Sequence, residues 1–350
     1  MSDTERSLLR KSVRDFLAAR WPVETAVERS GDTQAIAAIW RGMAEQGLAS
    51  LGANAEEAGL REIVLVFEEL GRASCPAPLL GAVAANLALA TRPSNAARAM
   101  LEDLHEGKAM IALALGALDG DPAAGRAEMR GDALWGKAAF VEGAETATHF
   151  LVFTDAPGVA VVARDAAGLK VQATPGLAVP PFCELTFENT PATPLSIPAE
   201  TLRDIALVAR LVCAGRALGA AERAFELAVD NAKVRKQFGQ FIGQFQAVQH
   251  KLANGLISLD GARLTLEAAA SARDNGNPDW RVFASSALAF AGPALRTVSI
   301  ETHRALGAIG YAEEHEAPRH FRRAHADLAR FGGAPRARAE LADAILGRLE

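Results

Sequence analysis

The residues best suited to chemistry in this chain lie at positions 234–253, in the run VRKQFGQFIGQFQAVQHKLA. Arg235 and Lys236 are followed by an amide and an aromatic side chain, Gln237 and Phe238, and then by a glycine. Cations beside the free amides at a helix start can bind an anion, and arginine can hold a phosphate with two hydrogen bonds. This turn therefore predicts a pyrophosphate site. The same spacing also fits an ordinary helical hairpin with a solvated basic corner, and both interpretations remain open at this point.

Other groups of reactive side chains indicate less. His315, His320 and His325 recur every five residues, which turns each side chain about 140° around a helix from the previous one. Zinc sites on one helix use pairs four residues apart, so this spacing does not predict a metal site. Glu222 and Glu226 share one helix face, and we expect them to pair with nearby arginines.

Composition indicates a soluble, mildly acidic globular protein. The chain has 350 residues, of which 50% are hydrophobic and 23% charged, and its net charge of -5 argues against nucleic-acid binding. Cys75, Cys183 and Cys213 are far apart and odd in number, as expected in a reducing compartment. No apolar run approaches the roughly 20 residues that cross a bilayer, and no signal-like segment precedes the first helix. We therefore expect a cytoplasmic protein with no membrane span.

Basic residues are concentrated in the C-terminal third of the chain. They include Arg319, Arg322, Arg323 and Arg330. Such a cluster predicts either a local anion site or a solvated helix face, and the spacing alone does not decide between them.

The spacing of apolar residues divides the chain into three parts. Helical spacing dominates residues 1–107. Short apolar runs separated by Gly, Pro and Asp fill residues 108–199 and predict antiparallel strands, most simply a small β-barrel. A helical period returns over residues 200–350. The predicted fold class is α+β, mainly α, with a helical N-terminal domain, a middle barrel and a C-terminal helical bundle.

Local signals refine this outline. Ser2 and Glu5 predict a capping box at the start of the first helix. Gly215 and Gly219 lie one turn apart on a long helix, where the missing side chains permit a close helix crossing. Pro293 predicts a kink in a helix over residues 280–306.

The run RKQFGQFIGQFQAVQHKLA closely resembles the signature of the acyl-CoA dehydrogenase family, and RALGAIGYAEEHE resembles that family's QLHGGxGY loop. Phe241 stands where members usually have Pro, a minor departure. The resemblance implies a helical N-terminal domain, a β-barrel middle domain and a C-terminal four-helix bundle, with FAD bound at the boundary to a neighbouring subunit. The residues implicated in FAD contact are Arg235, Gln237, Phe238, Ile242, Gln246, Arg304, Gly307 and Ala308.

The resemblance weakens at the residues that carry out the reaction. Desaturating an acyl-CoA needs a carboxylate within hydrogen-bond reach of the α-proton. Family members carry this carboxylate in one of two places. These correspond here to Ala209, which is followed by the retained Arg210, and to Phe331, which is followed by Gly332. Neither residue is acidic, so no catalytic residue is assigned.

The family's flavin-ring motifs are also missing. Members hold the isoalloxazine with a TEP-x-AGSD segment and with a Trp followed two residues later by Thr or Ser. The matching regions of this chain read ALALGALDGDPAAG and FVEGAE. We therefore do not expect this chain to build the flavin-ring half of a site alone.

These features favour a non-catalytic subunit of a heteromeric, FAD-dependent acyl-CoA dehydrogenase whose sister chain supplies the base. The resemblance to compact heteromeric members implies a bulky acyl-CoA thioester, such as a steroid side-chain CoA, and an electron-transfer flavoprotein as acceptor. One alternative is a self-sufficient homo-oligomeric enzyme with a relocated base at Glu222, Glu226 or Glu314. Another is a flavin-free scaffold protein with the same fold.

The long C-terminal helices predict assembly into dimers or tetramers. They are apolar over more than one face, and such helices are either enclosed or in contact with another chain. The residues that carry this pattern are Leu211, Val212, Leu218, Ile257, Leu264, Phe283, Leu288 and Phe290.

Overall fold

The N-terminal part of the protein is helical. A computed structural model describes residues 1–89, 95–116, 125–155 and 158–347. The first helices are α1 (Asp3–Arg20), α2 (Ala26–Ser30), α3 (Thr33–Glu45), α4 (Leu60–Arg72), α5 (Leu79–Leu89) and α6 (Asn95–His105). The predicted capping box is confirmed, because the Glu5 amide donates to Ser2 Oγ at 3.3 Å and the Ser2 amide donates to Glu5 Oε2 at 2.6 Å.

The middle part consists of strands. They are β1 (Ile111–Ala114), β2 (Ala127–Arg130), β3 (Ala133–Val141), β4 (His149–Thr154), β5 (Gly158–Ala163), β6 (Leu169–Thr174), β7 (Phe182–Pro191) and β8 (Thr193–Leu195). One sheet has the order β1-β4-β5-β8, with β1 parallel to β4, and the other has the antiparallel order β2-β3-β7-β6. Phe150 and Val152 of the first sheet share a core with Leu134, Leu185 and Phe187 of the second.

The mainly helical α+β class is confirmed, whereas the single closed barrel is corrected to two four-stranded sheets within the described residues. A barrel needs hydrogen bonding around its whole circumference. Here the edge strands β1, β2 and β8 have only three or four residues. The segment ALALGALDGDPAAG falls largely on residues 117–124, which lie outside the described residues.

The C-terminal part is a bundle of long helices with one small hairpin. Its elements are α7 (Ala199–Val234), β9 (Lys236–Gln237), β10 (Gln240–Phe241), α8 (Gln246–Asp274), α9 (Trp280–Leu306), α10 (Ala317–Ala329) and α11 (Gly333–Leu346). Pro293 lies inside α9. None of the helices in the described ranges is long and apolar enough to cross a membrane.

Helices α4 and α7 cross closely, which joins the two helical parts into one core. A Cβ atom added to Gly219 would lie 1.8 Å from the Glu68 carbonyl oxygen, and one added to Gly71 would lie 1.8 Å from the Arg216 carbonyl oxygen. Only glycine fits at such an approach. At Gly215 the added Cβ would be 3.0 Å from Val64 Cγ1. The close crossing predicted from the glycines of α7 is therefore confirmed.

The apolar residues expected to drive assembly separate into two groups. Leu211, Val212, Leu218 and Leu288 are buried within this chain. Ile257, Leu264, Phe283 and Phe290 are exposed on α8 and α9. Only the second group is available to another chain.

Candidate cofactor-binding surface and closed interior

The hairpin after α7 presents an aromatic side chain to the outside. Gln240 pairs with Gln237 and Phe241 with Lys236 in two short antiparallel strands. The residues between them, Phe238 and Gly239, have φ of +52° and +80°, as a type I′ turn requires. The side chain of Phe238 is 93% exposed. The turn therefore exposes most of this phenyl ring, whose centroid lies 6.2 Å from that of Phe245 in an edge contact.

Arg235 links the end of α7 to the end of α9. Its Nη1 donates to the Leu306 carbonyl at 3.3 Å, and its own carbonyl accepts from the Ile242 amide at 2.9 Å. Gly307 follows with φ +67°, and a Cβ there would lie 3.6 Å from Arg235 Nη1. The structure thus brings together Arg235 and Gly307, which are far apart in the chain.

The other residues implicated in FAD contact surround this junction along the chain. Gln237 is exposed, and its side chain donates to the Lys236 carbonyl at 2.8 Å. Gln246 is the exposed first residue of α8, and Ile242 opens the short 3₁₀ turn before it. Arg304 and Ala308 are exposed on either side of Gly307, and Arg304 pairs with Glu301 at 2.5 Å.

The sequence alone did not identify His303, which packs beneath the loop that follows α9. Its ring lies 5.5 Å from that of Tyr311 and 4.6 Å from that of Phe321. Burial lowers the pKa of His303, so it packs as a neutral ring. Its position one residue before Arg304 is the only signal that could have found it.

Ala209 and Phe331, to which the resemblance assigns the two positions of the family's base, are both buried. Ala209 lies within α7, and Phe331 lies in the turn between α10 and α11 with φ +58°. Arg210 Nη1 donates to Glu340 Oε2 at 2.6 Å, and Arg336 Nε donates to the other oxygen of Glu340 at 2.8 Å. The arginine retained from the family is therefore bound to a carboxylate of the last helix.

Beside these positions lies a buried group of charged residues, here called the interdomain ion cluster. Its members are Glu142, Arg216, Arg323, Asp327 and Arg330. Glu142 accepts hydrogen bonds from Arg216 Nη2 at 2.7 Å, Arg323 Nη1 at 3.0 Å and Arg330 Nη1 at 2.6 Å. Asp327 binds Arg216 through two bonds of 2.7 and 2.8 Å. The cluster connects the end of β3 to α7, α10 and the turn that contains Phe331.

In the interdomain ion cluster, attraction between opposite charges shifts pKa values more than the loss of solvation does. Burial alone would raise the pKa of Glu142, but Arg216, Arg323 and Arg330 together hold it well below its ordinary value. Burial would also lower the pKa of Arg216, yet Asp327 and Glu142 raise it well above that of a free guanidinium. Glu142 and Arg216 therefore both remain charged at neutral pH.

The interdomain ion cluster joins two segments to which the resemblance assigns roles in flavin binding and proton abstraction. Glu142 belongs to FVEGAE, which corresponds to a flavin-ring segment of the family, and Arg330 directly precedes Phe331. Arg330 also stacks against Phe182 and Phe331, with its central carbon 4.8 and 4.4 Å from the two ring centroids. The end of β3 and the turn that contains Phe331 are thus in direct contact through their side chains.

The remaining candidates have structural partners. Arg323 and Arg330 are buried in ion pairs, so the predicted anion site or solvated face is corrected for these two residues. His320 is buried with Nδ1 3.0 Å from Ser74 Oγ. Glu222 and Glu226 pair with arginines, as predicted.

Comparison with known proteins agrees with this architecture. The family profile "Acyl-CoA dehydrogenase, N-terminal domain" matches residues 3–98, and "Acyl-CoA dehydrogenase, C-terminal domain" matches residues 203–345. The acyl-CoA dehydrogenase IpdE2 of Mycobacterium tuberculosis is 30% identical over 330 residues, which cover 92% of this chain and 91% of the relative. IpdE2 of Mycolicibacterium smegmatis is 28% identical over 95% of this chain and 96% of its own length.

Solved structures lead to the same family. A variant of the Tcur3481-Tcur3483 steroid ACAD superposes with a TM-score of 0.86 at 28% identity, covering 98% of both chains. The ChsE4-ChsE5 complex from Mycobacterium tuberculosis contains a chain with the same fold, with a TM-score of 0.86 at 23% identity over 100% of this chain and 99% of that one. The architecture and the relatives together place the chain in the acyl-CoA dehydrogenase family.

Proposed function

We propose that this chain is a non-catalytic subunit of a heteromeric, FAD-dependent acyl-CoA dehydrogenase. The observation that carries the proposal is the 2.6 Å bond between Arg330 and Glu142. In a self-sufficient member, the flavin ring and the acyl group would have to lie between the two segments that this bond joins. A second chain would therefore supply the ring contacts and the base.

The side chains at Ala209 and Phe331 support the proposal that the sister chain supplies the base. General-base catalysis needs a group that can accept the α-proton at hydrogen-bond distance. The methyl group of Ala209 and the phenyl ring of Phe331 cannot accept a proton, and both side chains are buried. A base on the sister chain is the simplest source of this function.

The outer surface fits one end of FAD, whereas the interior does not fit the other. Arg235 offers a guanidinium beside Gly307, where the missing side chain leaves room for a phosphate to approach. Phe238 offers an exposed ring face for stacking. The interior beside Phe331 is filled by Arg330 and its partners. We propose that Arg235, Gln237, Phe238, Ile242, Gln246, Arg304, Gly307 and Ala308 contact the phosphate and ribose end of FAD held by the sister chain.

Bound FAD would accept the hydride released on α,β-desaturation of the acyl-CoA. The residues of this chain would orient its phosphate end through charge-assisted hydrogen bonds and keep the hairpin in place across the subunit boundary. The proton would go to the sister chain, because the buried carboxylates of this chain are already bound by arginines.

The substrate class follows from the relatives. One matched structure is described as a steroid ACAD. We propose that the heteromer acts on a steroid-derived acyl-CoA thioester and passes electrons to an electron-transfer flavoprotein.

A self-sufficient enzyme with a relocated base is the second candidate. A cavity of about 400 Å³ lies beside Arg210 and is lined by Glu200, Asp204 and Glu340. Glu340 is nearest in structure to Arg210, but both of its carboxylate oxygens already accept hydrogen bonds from arginines. Glu340→Gln in the homo-oligomer tests this candidate, since loss of an existing turnover would identify the base.

Coexpression with a longer acyl-CoA dehydrogenase chain from a neighbouring gene tests the proposal. We expect the two chains to co-purify with bound FAD and to oxidise a steroid-derived acyl-CoA. Removing the glutamate base of the longer chain should abolish turnover without releasing either chain or the flavin. A complex without flavin would instead favour a scaffold role.

A further inference from the structure

A second cavity, of about 290 Å³, lies where the end of α1, the end of α4, the middle of α7 and the start of α10 meet. Sites for small ligands start at roughly 300 Å³, so this space suits a compact molecule. The residues implicated in FAD contact, all of which the structure describes, do not line it. The cavity is therefore separate from the proposed flavin surface.

One wall of this cavity is apolar. It is formed by Leu17, Ala18, Pro22, Val23 and Ala73. The lining also includes arginines, and most of them have carboxylate partners. Arg14 binds Glu69 through two bonds of 2.8 Å, and Arg223 binds Glu316 at 2.5 Å.

Arg319 is the exception among the lining arginines. Within the described part of the chain no carboxylate lies within 4 Å of its guanidinium, and its Nη2 donates to the Val23 carbonyl at 3.1 Å. Its Nε and Nη1 atoms are buried and have no acceptor in the described residues. A guanidinium in this state retains unused hydrogen-bonding capacity, and leaving such donors unsatisfied is unfavourable.

Trp21 adds a third donor without an acceptor. Its side chain is 2% exposed, and its Nε1 has no partner in the described ranges. Buried indole N–H groups usually find an acceptor. Arg319 is bonded to Val23, two residues after Trp21, and both Trp21 and Arg319 line the cavity.

We propose that this cavity binds a small organic carboxylate, whose oxygens accept from Arg319 and Trp21 and whose short apolar body lies against Leu17 and Val23. A carboxylate has acceptors and no donors, which matches the unsatisfied groups. A single negative charge matches Arg319, the one guanidinium among the described lining residues that has no carboxylate partner. A phosphate dianion would bring a second charge close to Glu24, Glu69 and Glu316, which also line the space.

Two neighbouring alanines provide a matched pair of variants. Ala18 is exposed at the end of α1 and lines the cavity, whereas Ala19 is also exposed but does not line it. Ala18→Phe should fill the space without disturbing the core, and Ala19→Phe should leave it open. Arg319→Gln removes the charge, and Arg322→Gln removes a neighbouring charge that pairs with Glu313 instead.

Calorimetric titration of the full chain with butyrate, at constant ionic strength, tests the site. We expect saturable binding of one butyrate per chain, at least about tenfold weaker in Ala18→Phe and Arg319→Gln, because a charged hydrogen bond is lost or the space is filled. Trp21→Phe should weaken binding several-fold, and Ala19→Phe and Arg322→Gln should bind as the wild type does. Circular dichroism checks that each variant is folded.

Three results would overturn the inference. They are the absence of saturable butyrate binding to the wild-type chain, unchanged binding in folded Ala18→Phe, and tighter binding of inorganic phosphate than of butyrate. None of these measurements uses flavin or turnover, so they are independent of the proposed dehydrogenase role.

Discussion

Arg330 donates Nη1–H to Oε2 of Glu142 at 2.6 Å, and this bond joins the end of a middle-domain strand to the turn before the last helix. In chain order the two residues are 188 positions apart. Their contact ties the sheets to the bundle.

Glu142→Gln should destabilise the protein strongly. The substitution keeps the shape of the side chain but leaves Arg216, Arg323 and Arg330 with Asp327 as their only carboxylate in the cluster. Breaking a buried ion pair on one side costs about 3–5 kcal/mol of the free energy of unfolding. Urea unfolding curves measure this loss.

The control for this variant is Glu128→Gln. Glu128 pairs with Arg130 on the surface, so its loss should change the free energy of unfolding by less than about 1 kcal/mol. An equally small loss of unfolding free energy in Glu142→Gln and Glu128→Gln would show that the interdomain ion cluster does not stabilise the chain.

Acid should weaken the fold through Glu316 as well as Glu142. Burial acts to raise the pKa of Glu316, but His320 and Arg223 lower it from the ordinary 4.5 to about 2. A lowered pKa contributes stability that is fully present above the unfolded value and is lost as pH falls through the folded value. We expect wild type and Glu316→Gln to differ most at neutral pH and to converge between pH 4.5 and about 2. A constant difference across that range in urea unfolding experiments would contradict this linkage.

Local sequence signals predicted the helices and the turn of the RKQFG run well. The Ser2–Glu5 capping box and the glycines of α7 act within one or two turns, so their spacing in the chain is their spacing in space. The RKQFG run is contiguous too, and its turn forms as predicted.

Contacts between residues that are far apart in the chain could not be predicted from local sequence signals. Pairing between strands is not local, so the short edge strands that prevent a closed barrel could not be recognised from apolar runs alone. Likewise, Glu142 meets Arg216 and Arg330 across 74 and 188 positions. Nothing in the spacing of Arg323 and Arg330 distinguishes buried partners of a distant glutamate from a solvated helix face.

Arg235→Ala should reduce the FAD content of the complex without unfolding this chain. Its side chain makes one long bond, to the Leu306 carbonyl at 3.3 Å, and no ion pair within the described residues. A charge-assisted bond to a phosphate is worth about 1.5–3 kcal/mol, or roughly ten- to a hundredfold in affinity. Flavin absorbance per complex and thermal stability should be measured together.

Lys233→Ala is the matched control, because Lys233 lies two residues before Arg235 and pairs only with exposed Asp230 among the described residues. It should leave flavin content and melting temperature unchanged. Equal flavin content in both variants would remove Arg235 from the cofactor surface.

Leu264→Glu should break the assembly without unfolding the chain. Leu264 is 66% exposed on α8, beside further exposed apolar residues of α9. Obligate interfaces bury more than about 2,000 Å² and tolerate a central charge poorly. Leu8→Glu, at a leucine that is 63% exposed on α1, is the control. Light scattering at low micromolar concentration should show smaller particles for the first variant alone, and identical particles for both would place the interface elsewhere.

Turnover by the purified chain alone tests the central proposal most directly. The chain should be assayed with added FAD, a set of acyl-CoA thioesters that includes a steroid-derived one, and an artificial electron acceptor. We predict no measurable desaturation, because Ala209 and Phe331 provide no base and loss of a general base typically costs 10²- to 10⁴-fold. Robust desaturation by the pure homo-oligomer would contradict the non-catalytic role and would direct the search for a base to Glu340.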